Sequence, residues 1–473
     1  MKALRYVGKN GCRESAYTDA LAEPSSDTVI LDLASKRPNI TLRATIDKRK
    51  LYLRGSPLVR DFRDIGVMAY VLDTLSRRKD GVDYWSREFD CTFPVRDCSL
   101  WKSQGELLSQ MLATLAGDQY RMEWLPAGTM PAQAKHNARI PRGFDVVCLF
   151  SGGIDSLLGS YQLLQAGRRV LLVGHQSEPA TAAAQTQVFA HLMRLFPKRA
   201  SLVQFRVSAS QSEQPLFPIP EGGEDTHRVR SVLFLALAVA VAELAGVREI
   251  YMPENGLIAL NPPLELSRLG TCSTRTAHPR FLGQFTALAK ALGVFTGTLK
   301  NPFLYQSKTD MLRNFDPRLK PALLRSVSCS RPSRYQDKHV RHCGYCVPCV
   351  YRRAALAACG LDSAADYAFN AFTQLDALTV TTRADFTSLV RFARRYQSLS
   401  PLHKQAAVLS QGYFPPSAGG EIGPHPTTDY SPWVQMLDRW TGEFSDLIDE
   451  RASASTKKSL RLSSSAVGRA SRQ

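Results

Sequence analysis

The sequence predicts an α/β protein with a central parallel sheet, an α+β domain before it and a mainly helical extension after it. From residue 142 onward, short runs rich in valine, leucine and isoleucine alternate with helical stretches, a pattern typical of parallel strands and crossover helices. A glycine-containing turn also joins the first of these strands directly to a helix. In such sheets, turns at the carboxyl ends of the strands form the ligand-binding edge.

Four segments follow from this pattern. Residues 1–138 interleave strand candidates (28–33, 40–44) with helices (58–75, 100–115), which predicts the α+β domain. Residues 142–360 form the α/β domain, with strands at 146–150, 170–174, 201–207 and 249–252. Residues 361–450 are expected to be mainly helical. Residues 451–473 are basic, carry no acidic residue and lack periodicity, so we expect a disordered tail.

Composition excludes a membrane-spanning or disulfide-rich protein. The longest apolar run, residues 232–242, is too short to cross a bilayer, and the chain begins without an apolar leader, so we expect a cytoplasmic protein with no membrane partner. The formal net charge of +18 is concentrated partly in the tail. Nucleic acid is therefore a possible partner but not the favoured one, because a phosphorylated ligand and an anionic substrate also call for positive charge.

The turn at residues 151–156 reads Ser-Gly-Gly-Ile-Asp-Ser and can hold a phosphate chain. Its glycines leave backbone N–H groups uncovered, and the following helix start favours anions. No lysine follows the glycines, so the turn is not a Walker A loop. A serine and glycine helix cap without a ligand is the alternative. The residues expected to bind the nucleotide here are Ser151, Gly152, Gly153, Asp155 and Ser156.

Asp155 is the informative residue of this turn. A carboxylate beside a triphosphate is repulsive unless Mg²⁺ or a cationic side chain lies between them, so we expect Asp155 to position a metal ion or water. His175 and Gln176 follow the next predicted strand and should lie at the same edge of the sheet. We therefore add both to the predicted nucleotide site.

A cysteine cluster predicts a metal centre. Cys343, Cys346 and Cys349 have the spacing C-x2-C-x2-C, and Cys329 precedes them. Four thiolates suit a closed, structural Zn²⁺ site, although an iron–sulfur cluster or buried free thiols are alternatives. Arg352 and Arg353 follow the last thiol and could balance the negative charge of such a centre.

The order of these motifs resembles that of PP-loop enzymes, and more specifically of QueC-like 7-cyano-7-deazaguanine synthases. The resemblance covers about residues 142–360 and rests on the turn, the helix start at Arg230, the Ser307–Asp310 stretch and the cysteines. It implies a Rossmann-like (adenine nucleotide alpha hydrolase-like) fold and an ATP-dependent, AMP-forming enzyme that uses Mg²⁺ and contains Zn²⁺. The implied substrate is 7-carboxy-7-deazaguanine, whose carboxylate is adenylated and then joined to an amine.

The resemblance also implies roles for individual residues. Arg230 would meet phosphate or substrate charge, Lys308 would neutralise the reacting α-phosphate, and Asp310 would orient Lys308. Because Ser307-Lys308-Thr309-Asp310 also fits a helix capping box, a surface lysine behind that cap is the alternative. His278 could be a general base, or a structural residue before a proline.

The chain departs from the synthases in ways that leave the substrate open. Arg230 is followed by serine where those enzymes have asparagine, the stretch between Cys329 and Cys343 is longer, and the chain is extended at both ends. Such extended chains resemble the QueC-like component of the Qat anti-phage defence system, which implies partner proteins as acceptors. The alternatives are a tRNA-modifying sulfur-transfer enzyme, with Cys272 as its nucleophile, and a nucleotide-binding scaffold.

Overall fold

Two sheets organise the chain in the computed structural model, which describes residues 4–9, 28–33, 38–53, 55–81, 83–127, 139–209, 223–224, 226–262, 276–335, 340–411 and 430–462. The first sheet has the strand order β2-β1-β5-β6, and every neighbouring pair is parallel. Its strands are β1 (Leu4–Lys9), β2 (Thr28–Asp32), β5 (Glu88–Val95) and β6 (Gln119–Pro126).

The central sheet has the strand order β11-β10-β7-β8-β9-β3-β4. The first five strands in that order are parallel, which confirms the predicted α/β fold with a central parallel sheet. Its strands are β3 (Ile40–Ile46), β4 (Arg49–Leu51), β7 (Val146–Leu149), β8 (Val170–His175), β9 (Ala200–Ala209), β10 (Glu249–Tyr251) and β11 (Thr298–Lys300).

Helices cover both faces of the central sheet. They are α1 (Pro57–Leu75), α2 (Cys98–Ala116), α3 (Ile154–Gln165), α4 (Pro179–Leu195), α5 (Arg230–Ala245), α6 (Gly256–Leu260), α7 (Pro279–Ala291), α8 (Lys308–Leu312), α9 (Lys320–Arg325), α10 (Val347–Ala358), α11 (Val380–Gln397), α12 (Pro401–Leu409), α13 (Ser431–Arg451) and α14 (Ala454–Ser459). Alternate residues of β7 pack with α5 on one face and α3 on the other. Helix α5 is apolar nearly all round because it lies between the sheet and α1.

The N-terminal region differs from the expected separate α+β domain. Strand β3 joins the central sheet, antiparallel to β9, with Ile40 opposite Ala209 and Ile46 opposite Val203. This pairing covers an edge of β9 that would otherwise expose unpaired backbone groups. The first sheet is parallel as well, and α2 connects its neighbouring strands β5 and β6. The sequence pattern identified β2 and β3 but neither β1 and β5 nor the pairing partners of these strands.

The expected disordered tail also begins later than residue 451. Helix α13 continues to Arg451, and α14 follows with Ser453 as its N-cap, because the Ser453 hydroxyl accepts the Thr456 N–H. Leu460 is then buried against the rest of the core. Residues 463–473 of the expected tail lie outside the described residues. Among those described, no helix combines the length and the apolar character that a membrane span needs.

A buried ion network joins the first sheet to the central one. Arg78 donates to both carboxylate oxygens of Asp118 at 2.9 and 3.0 Å, and Arg87 bridges Asp118 and Asp73 at 2.5 and 2.6 Å. All four side chains are buried. Asp73 also accepts the Val229 N–H at 3.0 Å, just before α5. The network therefore fixes α1, the first sheet and the start of α5 relative to one another.

We expect Asp118→Asn to lower the free energy of unfolding by about 3 kcal/mol, since two buried guanidinium groups lose their shared counter-charge. Chemical denaturation followed by circular dichroism measures this change. Asp80→Asn is the matched control, because the exposed Asp80 pairs with an exposed Arg77 and contributes at most about 1 kcal/mol. Equal effects of the two substitutions would contradict the role given to the buried network.

Candidate functional site

The phosphate loop, residues 151–156, runs from the end of β7 into the first turn of α3. Gly152 has φ of 80°, and a Cβ there would lie 2.8 Å from the backbone nitrogen of Gln185, so both backbone and space require glycine. Its N–H donates to Ser156 Oγ at 3.1 Å, and the Gly153 N–H donates to Ser151 Oγ at 3.3 Å. The Ser156 and Ser151 hydroxyls thus accept hydrogen bonds from the Gly152 and Gly153 N–H groups, which a phosphate oxygen would otherwise accept.

Asp155 lies at the start of α3 and is almost completely buried. One of its oxygens accepts a hydrogen bond from Lys308 Nζ. The other accepts from the side-chain and backbone nitrogens of Asn255 at 2.6 and 3.2 Å. The cationic side chain that the sequence analysis required beside Asp155 is therefore Lys308, which comes from a distant part of the chain.

Lys308 is 6% exposed, so the alternative of a surface lysine is wrong. The capping box is nevertheless present, because Ser307 and Asp310 exchange hydrogen bonds at the start of α8. The expectation that Asp310 orients Lys308 is wrong as well. Asp310 accepts from Ser307 and from Arg439 on α13, at 3.1 and 3.2 Å from the arginine nitrogens. Asp310 thus fixes the helix start, and Asp155 holds the lysine.

Glu254 is a site residue that the sequence analysis missed. Its side chain is hydrogen-bonded to Asp155, and burial together with the Asp155 charge raises the pKa of Glu254 to about 8. Asn301 fixes its backbone, since Asn301 accepts the Glu254 N–H at 3.2 Å and donates to the Glu254 carbonyl at 2.8 Å. Its position just after β10, at the carboxyl end of a central strand, was the available signal.

The Asp155 and Glu254 carboxylates could hold Mg²⁺. Hard cations prefer carboxylate oxygens, and the raised pKa of Glu254 beside the Asp155 carboxylate indicates a place where further positive charge is favoured. A Mg²⁺ held by Asp155 and Glu254 would supply positive charge to a reacting phosphate chain. Lys308, paired with Asp155, would supply a second positive charge at the same place.

The other predicted site residues lie at different places in the structure. Arg230 opens α5, and its charge acts on Glu254, so it borders the carboxylate pair. His175 ends β8 with its ring between Tyr70 and Phe234, on the α1 and α5 side of the sheet, and Gln176 follows it half-buried. His278 is structural, because its Nδ1 accepts the Arg280 N–H at 3.1 Å and caps α7. Cys272 lies outside the described residues.

The four cysteines come together as expected. The sulfur atoms of Cys329, Cys343, Cys346 and Cys349 all lie within 4.8 Å of one another, and two of the pairs are 4.0 and 3.8 Å apart. Four thiolates around one tetrahedral Zn²⁺ with bonds of about 2.3 Å lie roughly 3.8 Å apart. The spacing thus fits a single ion.

The neighbouring arginines have hydrogen-bond partners outside the cysteine cluster, and their expected role in balancing its charge stays a prediction. Arg352 donates to Ser326 Oγ at 2.8 Å and to the Leu323 carbonyl at 3.0 Å, whereas Arg353 pairs with Asp362 and donates to Asn370. Neither guanidinium group has a hydrogen bond to a cysteine sulfur in the described part of the chain. Both side chains therefore anchor the helix after the cluster.

The segment Ser326–Cys329 connects the cysteine cluster to the phosphate loop. The Val327 N–H donates to the Gly152 carbonyl at 3.1 Å, and a Cβ on Gly153 would lie 3.2 Å from the Val327 carbonyl oxygen. The Ser328 N–H donates to His342 Nε2 at 3.3 Å, beside Cys343. Burial lowers the pKa of His342 to about 3, so its nitrogen remains an acceptor at neutral pH. We call the segment Ser326–Cys329 together with the cysteine cluster the metal loop, and it supports the phosphate loop through Val327.

Comparison with protein families finds a match for the region around the phosphate loop. Residues 143–252 match the family described as ThiI, thiamine biosynthesis protein (ThiI). This match supports a PP-loop type of nucleotide-binding fold for these residues. A comparison with curated proteins gives no match. The matched region runs from β7 to the end of β10, so it includes the phosphate loop, His175 and Arg230 but ends before Glu254, Lys308 and the cysteines.

We expect Glu254→Gln to stabilise the ligand-free protein relative to wild type as the pH rises from about 5 to about 8. The folded-state pKa of Glu254 lies above the ordinary value of 4.5, so the folded state retains a proton that the unfolded state has released. The free energy of unfolding of the wild type therefore falls over this interval, and the variant lacks that contribution. Denaturant titrations at several pH values measure the difference.

The exposed Glu450 offers the control for this titration, since Glu450→Gln should follow the wild-type pH profile. A Glu254→Gln protein whose stability differs from wild type by the same amount at both ends of the interval would show that Glu254 titrates normally.

We expect Cys346→Ser to lose the metal ion and to weaken nucleotide binding as well, because the metal loop holds the Gly152 carbonyl through Val327. Metal content by mass spectrometry and the affinity for an ATP analogue by calorimetry measure the two effects. Cys98→Ser, which changes a thiol outside the cluster, should alter neither. A metal-free Cys346→Ser protein with wild-type nucleotide affinity would contradict the proposed support of the phosphate loop by the metal loop.

Proposed function

We propose that the protein is an ATP-dependent ligase that adenylates a carboxylate, releases pyrophosphate and transfers the acyl group to an amine. The observation that carries this proposal is the buried Lys308–Asp155 pair beside the phosphate loop. A fold that only needed stability would have little use for an ion pair placed at the end of the loop that the PP-loop family uses for ATP. The PP-loop match supports an ATP-using enzyme.

The residues suit attack at the α-phosphorus. A carboxylate oxygen of the substrate bonds to that phosphorus, the bond to the bridging oxygen of the β-phosphate breaks, and pyrophosphate leaves with the electron pair. The loop amides and the Ser151 and Ser156 hydroxyls donate to the departing pyrophosphate. Lys308 neutralises charge on the α-phosphate as it forms. An amine then attacks the acyl carbon, loses a proton and expels AMP.

The proposed substrate is a 7-deazaguanine carboxylate of the 7-carboxy-7-deazaguanine type, and the proposed setting is anti-phage defence. The support is the joint order of the phosphate loop, Arg230, Lys308 and the cysteine cluster, which resembles the QueC-like synthases. The acceptor is ammonia or an amine of a partner protein. The helices after residue 361 add surface that a small-molecule reaction alone does not require.

A second candidate is RNA modification by sulfur transfer, which the ThiI match favours. That chemistry needs a nucleophilic cysteine close to the activated substrate. Cys148 on β7 does not qualify, because burial raises its pKa to about 12. Cys272 remains the candidate nucleophile for this reading.

We expect the wild-type protein, given ATP, Mg²⁺ and 7-carboxy-7-deazaguanine, to form AMP and pyrophosphate in equal amounts. Lys308→Met should lower kcat at least about 100-fold, since it removes a preorganised charge at the reacting phosphate. Asp155→Asn should lower it similarly, because Lys308 then loses the carboxylate that holds it. Chromatographic quantification of AMP together with a coupled pyrophosphate assay measures turnover.

Two controls make this assay decisive. Lys320→Met changes an exposed lysine at the start of α9 and should leave kcat unchanged. Cys272→Ser should retain full ligase turnover, whereas a sulfur-transfer enzyme would lose activity. Production of ADP, or no substrate-dependent turnover, would overturn the ligase proposal.

A further inference from the structure

A cluster of nitrogen-bearing side chains lies beside the phosphate loop, at the carboxyl edge of the central sheet. We call it the imidazole cluster: His175 at the end of β8, His227 before α5 and Arg230 at the start of α5. The Tyr70 ring lies 5.5 Å from the His175 ring and 5.9 Å from the His227 ring, centroid to centroid. Phe234 closes the cluster, 5.6 Å from His175 and 5.7 Å from the Arg230 guanidinium carbon.

His175 has unused hydrogen-bonding capacity. It is 6% exposed, and neither of its ring nitrogens has a hydrogen-bond partner among the described residues. Arg230 Nε is likewise buried and unpaired. An unsatisfied buried polar group destabilises the folded state, so a fold keeps one where a ligand completes the hydrogen bonds. His227 is solvent-exposed and lies at the outer side of the cluster.

The nearby acids do not neutralise this cluster, because each has other partners. Asp73 is held by Arg87 and the Val229 N–H, Glu224 accepts from the Arg78 and Thr226 N–H groups, and Glu178 accepts from the Ser333 N–H. Burial and the neighbouring Arg230 and His227 lower the pKa of His175 to about 4, so its ring is neutral at pH 7. A neutral imidazole and a guanidinium group remain available as donors.

We propose that the imidazole cluster binds the carboxylate of a planar aromatic acid, the substrate that the proposed ligase adenylates. Arg230 and His175 supply donors to the carboxylate, and His227 contributes at the entrance. The Tyr70 and Phe234 rings offer aromatic faces suited to a flat heterocycle. This assignment rests on the proposed function. It makes His175 a ligand of the acid substrate, whereas the sequence analysis placed His175 in the nucleotide site.

The position of Arg230 connects this acid site to the reaction. Its charge acts on His175 and His227 and also on Glu254 of the carboxylate pair. An acid held by Arg230 would therefore lie next to the Asp155 and Glu254 carboxylates, beside the phosphate loop. A phosphate group of the nucleotide has similar recognition chemistry and is the other source of an anion here, so the experiment must separate the two.

The test measures binding of each ligand separately by isothermal titration calorimetry. The probes are 7-carboxy-7-deazaguanine, its uncharged carboxamide, and a non-hydrolysable ATP analogue with Mg²⁺. His175→Phe keeps the aromatic packing but removes both ring nitrogens. We expect it to weaken binding of the acid about tenfold or more, to change affinity for the carboxamide less, and to leave affinity for the ATP analogue within about twofold.

His191→Asn is the matched control. His191 is also buried, but its ring nitrogen already bonds the Arg318 carbonyl on the other side of the sheet. This variant should bind all three probes as the wild type does. His227→Gln should weaken acid binding less than His175→Phe, because His227 is exposed. Circular dichroism of each variant verifies that it is folded.

The outcomes separate the two proposals. The acid site is overturned if His175→Phe binds the acid as tightly as the wild type does, or loses affinity for the acid and the ATP analogue equally. In either case, formation of AMP and pyrophosphate by the wild type would still support the ligase proposal. If the wild type binds the ATP analogue but neither binds nor consumes the acid, the proposed substrate fails, and the acid site fails with it. Selective loss of acid binding supports the assignment.

Discussion

The hydrogen-bonded ion pair between Asp155 and Lys308 is the constraint on which the site depends. It brings the first turn of α3, directly after the phosphate loop, against the first turn of α8, which lies far away in the sequence. A buried ion pair is stable only when the remaining oxygens are also satisfied. Asn255 meets that requirement, and it is itself fixed as the N-cap of α6. Three helix starts therefore converge on one carboxylate.

Parts of the chain outside the PP-loop domain support this arrangement. The metal loop holds Gly152 through Val327, and helix α13 of the C-terminal extension holds Asp310 through Arg439. Met436 on α13 also packs so closely on Gly256 that a Cβ there would lie 2.4 Å from its sulfur. The extension is thus part of the scaffold of the site, which explains why α8 and α6 can be so short. Short helices are marginal without tertiary packing.

The sequence predicted the features that depend on local pattern. Strands and crossover helices follow from hydrophobic periodicity, the phosphate loop from its glycines, and the metal site from thiol spacing. It did not predict the pairing of β3 with β9, the role of Asp310 or the contribution of Glu254. These features depend on which distant segments meet in the fold. Ser307 and Asp310 have the same local pattern whether Lys308 is buried or exposed. Glu254 and Asn255 have no distinctive sequence pattern, and their role follows only from the contact with Asp155.

The most direct test of this account is a crystal structure of the protein with Mg²⁺ and α,β-methylene ATP, an analogue that cannot be cleaved between the α- and β-phosphates. The account predicts the β- and γ-phosphates on the Gly152 and Gly153 amides, Mg²⁺ on Asp155 and Glu254, and Lys308 turned from Asp155 toward the α-phosphate. A triphosphate bound elsewhere, with the Lys308–Asp155 pair unchanged, would contradict it.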